Sequence, residues 1–213
     1  MTLKHSLSAH DVVADAPVIP VIVLRETAHA VPLAQALVAG GIRMLEVTLR
    51  TPVALDCIAA IAREVPQAVV GAGTVRTPAD VTSAAAAGAR FAVSPGYCGT
   101  LGAACREAGL PLLPGVATAS EIMQAAHDGH EVLKFFPAVP AGGAALLKAW
   151  HGPFGDIRFC PTGGISAENV GQFLALPNVA CVGGSWLVPD DAVRAGDWRR
   201  ITELAREASA LAR

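Results

Sequence analysis

Eight short apolar runs, each followed by an alanine-rich segment of helical period, predict an α/β domain closed into a (β/α)8 TIM barrel. Three observations carry that expectation. The first is the strict strand–helix beat. The second is composition: hydrophobic residues make up 53% of the 213 and charged residues only 16%, so strands can be buried on both faces. The third is that polar and glycine-rich residues collect where the runs end, the catalytic rim of such a barrel. No linker-like or charge-rich stretch divides the chain, so a single domain over residues 1–213 is expected.

The strand candidates are Val18–Leu24, Met44–Leu49, Ala68–Gly71, Phe91–Ser94, Leu110–Leu113, Val132–Phe136, Ile157–Cys160 and Val179–Val182. The segment before the first reads as an extra helix that plugs the barrel floor. Gly40-Gly41 ends the helix carrying Val31, Ala34, Leu37 and Val38. Thr51-Pro52 and Thr77-Pro78 each supply an N-cap followed by a first-turn proline. Gly88 stops the helix that Thr77 opens. Thr118 to Glu121 spell a capping box, Ser166 opens the helix of Val170, Phe173 and Leu174, and Ile201–Leu211 forms the last helix. Each short strand must return through a helix to lie beside its predecessor, so the strands run parallel. A doubly wound open sheet is the rival. It places a glycine-rich dinucleotide turn after strand one, where this chain has Leu24-Arg25-Glu26-Thr27.

Composition also limits function. A net charge of −2 gives no electrostatic reason to expect nucleic acid or an anionic membrane. Arg194, Arg199 and Arg200 read as a solvated helix face. No apolar stretch reaches membrane-spanning length, and Met1 to Ser6 do not lead into a secretion signal. Five cysteines without a C-x-x-C pair suit a reduced, cytoplasmic protein. Nor do the six histidines show metal-ligand spacing, His127 and His130 being taken as exposed residues at a helix end. The expectation is an enzyme needing neither metal nor cofactor.

The candidate chemistry starts at Lys134, one of three lysines in the chain, set in the apolar run Val132–Phe136. A desolvated amine gives up its proton more easily and becomes a nucleophile towards carbonyls. The competing reading is a strand-end lysine that reaches water or a carboxylate. In Leu45 to Arg50 the residues alternate, so Glu46, Thr48 and Arg50 take one face and Leu45, Val47 and Leu49 the other. With helices outside, the polar set points inward, as a catalytic group or as an internal Glu–Arg pair. Alternation also puts Lys134 on the face of Val132 and Phe136. The second and sixth strands lie nearly opposite, so Glu46 and Lys134 can meet, an amine beside a carboxylate base. Glycine clusters follow strands three, seven and eight: Gly71-Ala72-Gly73-Thr74, Gly163-Gly164 and Gly183-Gly184. The last two are the usual place for a phosphate in barrel enzymes.

With these residues in hand, the chain resembles the class I 2-keto-3-deoxy-6-phosphogluconate (KDPG) aldolases, which also act on 4-hydroxy-2-oxoglutarate. The matching phrases run in order along nearly the whole sequence: Glu46 to Thr51, Val70 to Val75, Ser94 to Gly96, Leu112 to Gly115, Lys134 to Ala138, Phe159 to Ile165 and Gly183 to Pro189. The resemblance implies a cytoplasmic homotrimer cleaving KDPG, a small phosphorylated keto acid, into pyruvate and glyceraldehyde 3-phosphate. It implies a Schiff base on Lys134 and proton transfer by Glu46. Arg50 and Thr74 would hold the pyruvoyl carboxylate, with Phe136 beside the imine and Thr162 near the aldehyde carbon. Gly163, Gly164, Gly184 and Ser185 would cradle the phosphate. Two stretches depart from the family pattern, Val139 where many relatives carry glutamate, and Tyr97–Gly109. The aldolase for the galactonate epimer is the alternative. A sugar-phosphate epimerase or decarboxylase and a non-catalytic sensor are the readings from other classes.

Overall fold

A computed structural model of the chain describes residues 7–212; residues 1–6, including the start read above for a secretion signal, lie outside them. Along the chain run α1 (Ala9–Ala14), β1 (Val18–Ile22), a 3-10 turn (Thr27–His29), α2 (Ala30–Ala39), β2 (Met44–Thr48), α3 (Ala54–Glu64), β3 (Val69–Gly73), α4 (Pro78–Ala86), β4 (Ala92–Val93) and α5 (Gly99–Glu107). The second half holds β5 (Leu112–Leu113), β6 (Gly115–Val116), α6 (Ala119–His127), β7 (Val132–Phe135), α7 (Gly143–Trp150), β8 (Arg158–Pro161), α8 (Val170–Leu174), β9 (Val182–Gly184), α9 (Asp190–Ala195) and α10 (Trp198–Ser209).

The strands form a curled parallel sheet in two hydrogen-bonded sections, β5-β4-β3-β2-β1-β9 and β6-β7-β8. One fixed register sets Val21 beside Glu46, Glu46 beside Gly71, and Lys134 beside Cys160. The two sections meet twice. Single bridges Phe159–Val179 and Thr162–Gly183 tie β8 to the chain of β9. On the other side β5 falls within the fifth predicted strand, Leu110–Leu113, while β6 lies just beyond it, set apart by Pro114, which has no amide hydrogen to give a ladder.

Sequence punctuation works where a side chain can reach a free amide. Thr77 Oγ1 accepts from Asp80 N at 3.1 Å with Pro78 opening α4, and Thr118 Oγ1 accepts from Glu121 N at 3.3 Å. Gly41 and Gly88, at φ +93° and +92°, take the left-handed positions after α2 and α4. Two expected caps are corrected. The Thr51 hydroxyl donates to the Leu24 carbonyl at 2.6 Å, so residues 51–53 turn and α3 begins only at Ala54. Asn169 Oδ1 accepts from Ser166 N at 2.9 Å, so Ser166 starts a turn and α8 begins at Val170.

Three apolar clusters follow from strand alternation. Leu45 and Val47 pack outward against Leu33, Leu37 and Ile58 of α2 and α3. Leu133 and Phe135 pack outward with Phe159, Leu147 and Trp150. Inside, Met44, Phe91, Val93, Leu113, Val132 and Cys160 meet Val12 and Val13 of α1. Burying such side chains contributes about 1.5–3 kcal/mol each. The polar residues of the same inward faces stand one layer nearer the C-terminal ends of the strands.

Candidate active site

Glu46 and Lys134 enter that layer from β2 and β7, each only 3% exposed. Lys134 Nζ lies 3.3 Å from Glu46 Oε1. Ionised groups are costly to bury singly, so the pair holds together what neither would be without the other. The amine also sits 5.2 Å from the centre of the Phe136 ring, whose electron-rich face favours a cation. Reach across the sheet, rather than neighbourhood in sequence, brings them together, since 88 residues separate them.

Backbone design makes room for this pair. A Cβ built on Gly73 would stand 2.6 Å from Glu46 Cγ and 2.8 Å from Cδ, well inside van der Waals contact. On Gly71 it would strike the Phe91 ring at 2.5 Å. The glycines of β3 are therefore seats for neighbouring side chains and belong to the strand. The expectation that the cluster Gly71 to Thr74 follows strand three is corrected accordingly. Gly183 plays the same part for Thr162, whose Cγ2 would lie 2.9 Å from its Cβ.

The inward residues of β2 each find a different partner. Thr48, fully buried, donates to the Ile22 carbonyl at 2.9 Å. Arg50, beyond the strand end and exposed, gives its Nε to Thr74 Oγ1 at 3.1 Å. Thr74 has φ +60°, a backbone state that a β-branched residue rarely occupies. Such strain persists where surrounding structure imposes it, often at functional positions. Here it aims the hydroxyl at the Arg50 guanidinium.

Above the pair opens a cavity of about 320 Å³ at the C-terminal ends of the strands. Arg50, Phe136 and Thr162 line one part of it; Gly163, Gly164, Gly184 and Ser185 line another. The consecutive glycines 163 and 164 take φ +103° and +77°, which open backbone to a ligand without side chains in the way. Asn169 Nδ2 fixes the turn by donating to the Gly164 carbonyl at 2.9 Å. Val139, one of the departures from the family pattern, presses on this turn: a Cβ at Gly164 would stand 2.8 Å from its own Cβ. Nine of the ten predicted site residues thus lie in the buried pair or in the lining of the opening, and Thr74 is joined to them through Arg50.

Asp190, at the start of α9, lines the same cavity. Sequence reasoning missed it because a helix-opening aspartate ordinarily signals only favourable charge at a helix start. Position after strand eight was the one signal that could have singled it out. One further expectation is corrected. His130 is half-buried rather than exposed, and its Nε2 is enclosed without a hydrogen-bond partner. Its ring stands edge-on to Tyr97 at 5.1 Å, while Tyr97 Oη donates to Asp128 at 2.7 Å. Burial is the largest influence and holds the imidazole below its ordinary 6.5; Arg106 adds to the shift and Asp128 opposes it. Arg194, Arg199 and Arg200 are exposed, as expected. Among the described residues no helix is long and apolar enough to cross a membrane.

The family model for KDPG and KHG aldolase matches residues 9–204. The chain is 55% identical to a 2-dehydro-3-deoxy-phosphogluconate aldolase of Pseudoalteromonas atlantica, covering 99% of this chain and 98% of the relative. It is also 55% identical to the KHG/KDPG aldolase of Escherichia coli K12, covering 94% of each. Among solved structures, a KDPG aldolase of Legionella pneumophila superposes with a TM-score of 0.92 at 51% identity, covering 94% of this chain and 98% of that one. That crystal holds pyruvate captured at low pH as a covalent carbinolamine.

Proposed function

The chain belongs to the KDPG and KHG aldolase family, and on that premise we propose that it cleaves KDPG to pyruvate and glyceraldehyde 3-phosphate through an imine on Lys134. The observation that carries this is the buried amine 3.3 Å from a carboxylate beneath an open cavity. As a nucleophile Lys134 must first lose a proton, and Glu46 is within reach to take it. The free amine adds to the C2 carbonyl, giving a carbinolamine; Glu46 then returns its proton to the departing hydroxyl, and loss of water leaves a cationic imine beside a carboxylate. Glu46 then accepts the C4 hydroxyl proton, directly or through water. The C3–C4 bond breaks, its electrons pass into an enamine, and the aldehyde departs. The same carboxyl group returns a proton to C3, and hydrolysis of the imine frees pyruvate and the lysine.

Arg50, steadied by Thr74, holds the pyruvoyl carboxylate, because a planar guanidinium can engage both oxygens. Phe136 shields the imine from water, and Thr162 faces the aldehyde carbon. The backbone of Gly163, Gly164 and Gly184 with the Ser185 hydroxyl receives the phosphate. The shared pyruvoyl end extends the reaction to 4-hydroxy-2-oxoglutarate, which yields glyoxylate. We read the two sheet sections as one closed (β/α)8 domain with α1 across its floor, assembled as a cytoplasmic homotrimer.

Incubation with pyruvate and borohydride, followed by peptide mapping, tests the assignment. A reduced pyruvyl adduct on Lys134 is expected. An adduct on Lys4 or Lys148, or none with an enzyme that turns over KDPG, refutes it. Cleavage rates on KDPG and its galactonate epimer then fix the stereochemical preference.

A further inference from the structure

The described lining of the substrate cavity carries one guanidinium, Arg50, and one carboxylate, Asp190. Beneath it Lys134 and Glu46 offset one another. The site is therefore charge-balanced, although KDPG brings a carboxylate at one end and a phosphate at the other. Arg50 is committed to the Thr74 side. Around the glycine turns the phosphate would meet backbone, the Ser185 hydroxyl and the Asp190 carboxylate. Among the described residues two nearby arginines are engaged elsewhere: Arg194 donates to the Asp190 backbone carbonyl at 3.3 Å, and Arg200 pairs with Asp191 at 2.7 Å. A carboxylate opposes a dianion and is a good acceptor for a neutral hydroxyl.

We propose that Asp190 is a specificity-determining residue that lowers the preference for the phosphorylated acid and lets the same site cleave its unphosphorylated counterpart, 2-keto-3-deoxygluconate. This rests on the aldolase reading above. The terminal C6 hydroxyl of that acid donates to Asp190 where the phosphate ester would otherwise stand. Bond changes are those already given: C3–C4 breaks, the C4 hydroxyl proton goes to Glu46 and returns to C3, and the products are pyruvate and glyceraldehyde.

Steady-state kinetics of the full chain on both acids, with Asp190→Asn and Asp190→Ala, test the proposal. Removing the charge should raise kcat/KM for KDPG about three- to tenfold at low salt, the size of carboxylate–dianion repulsion across several ångströms of wet cavity. Added salt should shrink that gain as screening takes over. Asp190→Ala, which also removes the acceptor, should lower kcat/KM for the unphosphorylated acid about three- to tenfold. A substrate ratio unchanged within about twofold in both variants overturns the proposal, as does a wild-type enzyme inert towards the unphosphorylated acid while cleaving KDPG. A wild-type enzyme inert towards KDPG refutes the aldolase reading itself, and this proposal with it.

Discussion

Gly73→Ala places one methyl group against the catalytic carboxylate from a residue outside the lining of the substrate opening. The new Cβ would stand 2.6 Å from Glu46 Cγ, and Oε1 lies nearer still. An ordinary contact begins near 3.4 Å, so Glu46 Cγ must move by about 0.8 Å and the carboxyl oxygen by more. It cannot do so freely: Glu46 is 3% exposed, and Gly73 is held in β3 beside Thr48. Misplacing a reacting group by about 1 Å costs on the order of 10²-fold in rate. Overpacking a filled interior costs about 1–3 kcal/mol. For a chain of this length that lowers the melting temperature by roughly 2–12 °C. The expected variant is folded, melts lower, still forms the pyruvate–borohydride adduct on Lys134, and turns over KDPG about a hundredfold more slowly. Gly171→Ala is the matched control, since its Cβ meets nothing within 4 Å at an exposed position of α8; it should gain about 0.4–1 kcal/mol and keep its rate. A Gly73→Ala enzyme with kcat within about threefold of wild type would refute the idea that this glycine seats the base.

Lys134→Met should lose turnover and covalent trapping, and should destabilise the fold by about 3–5 kcal/mol because Glu46 is left as a lone buried charge. Chemical denaturation of Lys134→Met/Glu46→Gln should recover most of that loss; additive losses would mean the pair is uncoupled. Thr74→Gly relieves a φ of +60° but removes the oxygen that receives Arg50 Nε. Its melting temperature should rise by a few degrees while KM for KDPG rises about two- to tenfold, and an unchanged KM would sink the positioning role. His130 has a lowered pKa in the folded chain, so below the ordinary 6.5 the unfolded state binds more protons. Stability from this group is complete above 6.5 and is lost as pH falls through the lowered value. Thermal melts across that window should be flatter for His130→Phe than for wild type, and equal slopes would exclude the histidine as the source.

Periodicity and local chemistry determine much of this protein. The alternation Glu46, Thr48, Arg50 against Leu45, Val47, Leu49 depends only on the two-residue repeat of a strand. It therefore already separated the lumen from the helix-facing side. Thr77 with Asp80 and Thr118 with Glu121 could be read as caps because all their partners lie within one helical turn. Thr51 and Ser166 misled for the same reason in reverse. A hydroxyl takes the nearest good partner in space, and for Thr51 that is Leu24, 27 residues away.

Lys134 and Glu46 were identified from strand position, yet their separation of 3.3 Å depends on sheet curvature that no local pattern encodes. Only the tertiary structure could distinguish the two uses of glycine. Gly71, Gly73 and Gly183 clear space for Phe91, Glu46 and Thr162, whereas Gly163 and Gly164 face the cavity. It alone moved Asp190 from a helix-start residue to part of the substrate opening, and buried one nitrogen of His130. The physical reason is common to all of these. Burial pattern and capping are properties of neighbours along the chain, while close approach and charge balance within a cavity are set by residues that meet only when distant segments fold together.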